Sequence, residues 1–137
     1  MKEGFNVIEK IELPTNYNSL IDIERLVGKV CEKMGVIDDC YGNVLIAVTE
    51  AVNNAIEHGN QMNKLLFVAV AVGEEKESFC FNVTDQGAGF DYSSLPDPTA
   101  PSNLLKESGR GIFLMRNLAD EVEFDPPGNS VNIYFCK

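Results

Sequence analysis

The chain has 137 residues, with 11 Lys and Arg against 21 Asp and Glu, a formal charge of −10 at pH 7. With 45% hydrophobic and 23% charged residues, the composition is that of a globular protein and excludes global disorder; residues 1–137 are read as one domain. So acidic a chain lacks the clustered Lys and Arg that a nucleic-acid backbone or an anionic membrane demands, and neither is expected as a partner.

Residues 3–13 place Phe5, Val7, Ile11 and Leu13 at odd positions, a period of two that predicts a strand ended by Pro14. The start MKEGFNVIEK shows no basic-then-apolar leader, and no apolar run approaches the roughly 20 residues of a membrane span, so a cytoplasmic protein is expected. From Ser19, the apolar positions Leu20, Ile23, Val27, Val30 and Met34 step by three and four. That is a helix stripe, with Gly35 as its C-terminal cap.

A second helix is predicted to start near Asp38 or Asp39, either of which can cap free amides, and to run to about Gly59-Asn60, read as its stop. Its apolar set is Val44, Leu45, Val48, Val52, Ala55 and Ile56. Asn43, Ala47, Glu50, Asn54 and Glu57 fall on the opposite face at 100° per residue. Residues 64–73 and Ser78–Thr84 are dense apolar strand candidates around a charged turn, hence a hairpin. Between Asp85 and Ser108 there is no sustained periodicity, and SSLPDPTAPSN holds three prolines, so a long loop is expected. A short helix after Gly109-Arg110-Gly111 carries Ile112, Met115 and Leu118 on one side. A last strand pair, 122–124 and 131–135, flanks Pro126-Pro127-Gly128. Cys31, Cys40, Cys80 and Cys136 are widely spaced with His58 as the sole imidazole, so reduced packing cysteines are expected and no zinc site.

Three segments carry chemistry. In TEAVNNAIEHGN, Glu50 and Asn54 lie one helical turn apart, a carboxylate and a carboxamide oxygen within reach of one ligand. Alone this is equally well a solvated polar face, but an amide oxygen completed by phosphates and waters suits Mg²⁺. In VTDQGAGF, Asp85 follows a strand and precedes Gly87 and Gly89, which permit close backbone approach; this is either a plain glycine turn or a pocket whose carboxylate accepts an exocyclic amino group such as that of adenine. In SGRGIFLMR, two glycines at a helix start leave amides free for an anion, although a single Gly-x-Gly decides nothing. Between Met34 and Leu105 the basic residues are Lys64 and Lys76 alone, whereas Lys106, Arg110 and Arg116 gather at this junction, which places local positive charge where a polyphosphate needs it.

Glu-x-x-x-Asn, then D-x-G-x-G-F, then G-x-G, in this order and with a proline-rich loop between the last two, resembles the GHKL (Bergerat) ATP-binding fold. The wording AVTEAVNNAIEHGN and GRGIFLMRNLADEVEF is similar to the anti-sigma factor serine/threonine protein kinases. The resemblance implies an α+β, two-layer α/β sandwich whose mostly antiparallel mixed sheet has helices on one face. It further implies ATP and Mg²⁺ as cofactors, Glu50 as general base, Asn54 as Mg²⁺ ligand and Asp85 on the adenine amino group. Gly87 and Gly89 would line the base pocket, and the loop from Asp91 to Ser108 would be the ATP lid. Gly109, Arg110 and Gly111 would close over the phosphates, with Lys106 and Arg110 as charge partners.

As partners the resemblance implies an anti-anti-sigma type antagonist, a sigma factor and a second copy of the chain in a homodimer. A nucleotide-gated partner switch with little turnover is the alternative reading. With His58 inside the binding helix, autophosphorylation on histidine is excluded for this chain alone, and a structural role at the helix end is expected for it. Where the family commonly carries Gly-Thr before the last strand, this chain has Gly128-Asn129-Ser130.

Overall fold

The structure, a computed structural model, describes residues 1–90 and 107–137, with the side chains of 107–110 outside that description. Five strands, β1 (Asn6–Pro14), β2 (Phe67–Glu74), β3 (Ser78–Thr84), β4 (Glu121–Asp125) and β5 (Ser130–Cys136), form one sheet in the order β1-β2-β3-β5-β4. Every pairing is antiparallel, so the expected sandwich holds, with an antiparallel rather than a mixed sheet among the described residues. The β2–β3 hairpin forms as expected, with Val70 opposite Val83 and Val72 opposite Phe81.

Alternation along the strands sorts the side chains. Val68, Val70, Val72, Phe79, Phe81, Val83, Val131, Ile133 and Phe135 join the buried core with residues from the helices. Phe79 and Phe135 stack with ring centroids 5.5 Å apart. The opposite face is polar: Asn82 Nδ2 donates to Asn132 Oδ1 at 2.8 Å, and Asn132 Nδ2 donates to Asp125 Oδ2 at 3.0 Å. That pairing lets Asn132 be fully buried on a face that carries no helix among the described residues.

Strand β1 ends at Pro14 as expected, the proline itself opposite Phe67, which an edge strand tolerates because its outer N–H positions need no partner. One departure lies at its start. A register shift between Val7 and Glu9 leaves Val7 exposed, so the sequence alternation breaks at its start.

Helix α1 (Ser19–Met34) buries Ile23, Val27 and Val30 from the predicted stripe. It ends at Gly35, whose φ of 72° is the left-handed conformation that a Cβ penalises. Helix α2 (Asp38–Asn54) begins with Ile37 at the cap position and no side-chain cap bond; Asp38 and Asp39 lie in its first turn, where negative charge suits the dipole. Past Asn54 the ladder widens into a π turn, Ala55–Gly59, closed by the Asn60 N–H on Ala55 O. Helix α3 (Glu107–Leu118) lies against α2 and buries Ile112 and Met115. Its contact explains one misread face: Ala47, placed with the polar set in sequence, is completely buried. A helix packed on both the sheet and a neighbouring helix needs two small or apolar sides, which a one-stripe reading misses.

Candidate nucleotide-binding site

A cavity of about 310 Å³ opens between α2 with its π turn, the turn after β3, α3 and the start of β5. Its apolar wall is Ala51, Val83, Ile112, Met115 and Phe124, and its polar groups include Asn54, His58 and Asp85. An apolar slot with a few convergent polar groups is the usual form of a small-molecule site.

Asp85 is held from three sides. Its N–H donates to Asn129 O at 2.9 Å, and Asn129 Nδ2 donates back to Asp85 O at 3.0 Å. Its own Oδ1 accepts the Gly87 N–H at 2.8 Å. A Cβ on Gly59 would overlap the Asp85 carboxylate, and one on Gly87 would overlap the Gly59 carbonyl, so the two glycines let the π turn and the Asp85 turn interlock. Burial pushes the Asp85 carboxyl above its ordinary value of 3.8, and the Gly87 N–H pulls it back part of the way. The Asn129 clamp resolves what replaces the Gly-Thr pair: the asparagine serves the fold by fixing the backbone of Asp85.

Gly89 lies at φ 85°, and a Cβ there would overlap the Pro127 carbonyl, which accepts the Phe90 N–H at 3.1 Å. Gly89→Ala is therefore expected to lower stability by at least ~1 kcal/mol, read as a lower midpoint in thermal or urea denaturation.

Asn54 lines the cavity, and beside it Glu50 faces the first turns of α3. A Cβ on Gly111 would stand 2.9 Å from Glu50 Oε2 and 3.1 Å from Asn54 Nδ2. The buried Nδ2 of Asn54 has no hydrogen-bond partner among the described residues, although such groups are nearly always paired. Burial, and secondarily the charge of Glu57, push the Glu50 carboxyl above its ordinary value of 4.5. Glu57 Oε1 accepts the Tyr17 hydroxyl at 2.6 Å, while His58 Nε2 lies 3.8 Å from Glu57 Oε2 at the exposed helix end.

The fold thus brings Asn54, Asp85 and Gly89 to the wall of one cavity, while Glu50 and Gly111 stand beside Asn54, and Gly87 lies behind Asp85 against the Gly59 carbonyl. Lys106 and residues 91–106 of the expected lid lie outside the described residues. Gly109 and Arg110 fall within α3, which begins at Glu107, so the glycine pair sits inside the first turns and not ahead of them. The Arg110 side chain lies outside the described residues. Sequence reasoning missed Gly59, Asn60 and Asn129 as parts of the site. Gly59-Asn60 was legitimately a stop signal, and nothing in local spacing says which remote residue a carboxamide will meet.

This arrangement defines a class: an antiparallel α/β sandwich with a small-molecule cavity between its helical layer and the end of its sheet. The chain belongs to the histidine kinase-like ATPase domain family, whose profile matches residues 13–135. It is similar to the serine-protein kinase RsbW of Bacillus subtilis (strain 168), 31% identical over 129 residues that span 89% of this chain and 79% of that protein. The RsbW of Bacillus licheniformis is 31% identical over 128 residues with the same coverage, 89% and 79%. That of Staphylococcus aureus is 28% identical over 142 residues, 96% of this chain and 86% of the relative. Among the described residues, no helix is long and apolar enough to cross a membrane.

Proposed function

We propose that the protein is an ATP-dependent serine/threonine protein kinase that phosphorylates a small anti-anti-sigma type antagonist and, when the unphosphorylated antagonist is absent, sequesters a sigma factor. The observation that carries this reading is that Asn54 and Asp85 line one cavity, with Glu50 beside Asn54 at Gly111 and the Asp85 carboxylate held by the Gly87 N–H. The names of the RsbW relatives support the kinase class.

In this reading Asp85 accepts the adenine amino group, while Gly87 and Gly89 let the backbone come close to the base. The Asn54 carboxamide oxygen would ligate Mg²⁺, which takes few protein ligands and fills its shell with phosphates and waters, while the Asn54 Nδ2, without a partner among the described residues, is a donor suited to a phosphate oxygen. When bound, Mg²⁺ neutralises charge on the phosphate oxygens. The N-terminal amides of α3 at Gly109 and Gly111 would add positive potential there, and Lys106 and Arg110 are proposed as charge partners of the phosphates.

Glu50 takes the proton from the seryl or threonyl hydroxyl as its oxygen bonds to the γ-phosphorus and the bond to the bridging oxygen of ADP breaks. Its raised basicity, caused by burial, suits a general base. The test is incubation with ATP, Mg²⁺ and a small anti-anti-sigma type antagonist, followed by mass spectrometry. Phosphoserine or phosphothreonine on the antagonist is expected. An ATP-dependent complex with no phosphate on the partner would instead establish the nucleotide-gated switch.

A further inference from the structure

Asn60 sits directly after the π turn with its side chain 2% exposed, and nothing in the proposed chemistry uses it. The hydrogen bonds of its side chain among the described residues run sideways. Nδ2 donates to Thr15 Oγ1 at 2.9 Å and to Phe67 O at 3.0 Å, and Oδ1 accepts the Gln86 N–H at 2.8 Å. Gln86 Oε1 in turn accepts the Phe67 N–H at 2.6 Å, closing a ring of bonds among Asn60, Phe67 and Gln86.

The position of this ring matters more than its strength. Gly59 lies against the Asp85 carboxylate and its carbonyl lies against Gly87. The residues one step further along each segment, Asn60 and Gln86, are joined by the carboxamide. The bond therefore pins the two turns at the place where they interlock, one residue from the group that would read the base. Asn129 already holds the backbone of Asp85; the buried three-bond carboxamide adds the tie at Gln86 that joins this turn to the π turn and β2.

We propose that Asn60 is a positioning residue for base recognition: it holds the Asp85–Gln86 turn so that the carboxylate meets the 6-amino group of an adenine nucleotide. The inference rests on the nucleotide-binding reading above. It predicts that losing the tie weakens the contact to the amino group and leaves the rest of the ligand's binding intact.

The experiment compares ADP with purine riboside diphosphate, which lacks the 6-amino group, by calorimetry in the presence of Mg²⁺ on the full chain. In wild type, ADP is expected to bind ~10-fold or more tightly than the analogue, as for a hydrogen bond to a charged group. In Asn60→Ala that preference should fall to within about twofold, with analogue affinity changed less than about twofold. Thr15→Val cuts the same knot on its far side but spares the Gln86 bond, and should keep the preference even with a lowered melting temperature. Equal loss of both ligands in Asn60→Ala, or equal loss of preference in Thr15→Val, makes Asn60 merely structural and overturns the proposal.

If Asn60→Ala does not fold, wild type supplies the test by hydrogen exchange. Saturating ADP should slow the Gln86 amide several-fold more than the saturating analogue does, and equal slowing overturns the proposal. A wild type that binds neither nucleotide would sink the nucleotide reading itself, which separates that failure from this one.

Discussion

Glu50→Gln is expected to reduce phosphate transfer ~10²–10⁴-fold, the ordinary contribution of a positioned general base, while ADP affinity stays within about twofold of wild type. Glutamine keeps the volume and one acceptor oxygen but cannot take a proton at any relevant pH. The binding groups, Asn54 and Asp85, are untouched by the change. Folding should not suffer. Burial raises the Glu50 pKa in the native state, so at neutral pH the native protein carries the cost of a half-buried charge, and glutamine removes it. The melting temperature is expected to equal or exceed that of wild type. Single-turnover transfer to the antagonist, measured with and without the substitution, is the check; transfer within tenfold of wild type would assign the proton to another group.

The elements with one buried face were readable from residue spacing because each answers to a single partner layer. The α1 stripe, the β2–β3 hairpin and the Ile112–Met115 face of α3 all follow this rule. Misreadings arose where a residue answers to two partners or to a remote one. Ala47 looked solvent-facing because periodicity in α2 reports only the sheet side, and the α3 side is satisfied by small residues that leave no hydrophobic signature.

Of the site, the chemically singular residues Glu50, Asn54 and Asp85 could be picked out from their types and order. Their supports could not. Asn129 lies 44 positions from Asp85 and Asn60 lies 26 from Gln86, and an asparagine beside a glycine reads first as a turn. The clearance at Gly59 and Gly111 is likewise a property of what crosses in front of each glycine, which only the assembled fold decides.

Asp85 shows the conflict between binding and stability most directly, and Asp85→Asn is expected to lose ADP affinity ~10-fold or more while melting at or above the wild-type temperature. The first part follows from the loss of a charged acceptor for the amino group, whose hydrogen bonds contribute about 1.5–3 kcal/mol. The second follows from linkage. Because burial raises the native pKa above the ordinary 3.8, the folded chain holds its proton over a range in which the unfolded chain has already released it. Stability is therefore lost as pH rises from the ordinary value through the native one, and the full cost is present above the native pKa. Asparagine can still accept the Gly87 N–H and carries no such cost. The stability gap between variant and wild type should accordingly be widest near neutral pH and close as pH falls below the ordinary aspartate value. Over the same descent, wild-type ADP affinity should weaken as the carboxylate is protonated, with its inflection above 3.8. Calorimetric binding and thermal melting at a series of pH values measure both curves on the same two proteins. An asparagine variant less stable than wild type at neutral pH would mean that the Asp85 charge is compensated within the fold, and that the clamp around it serves stability and not the ligand.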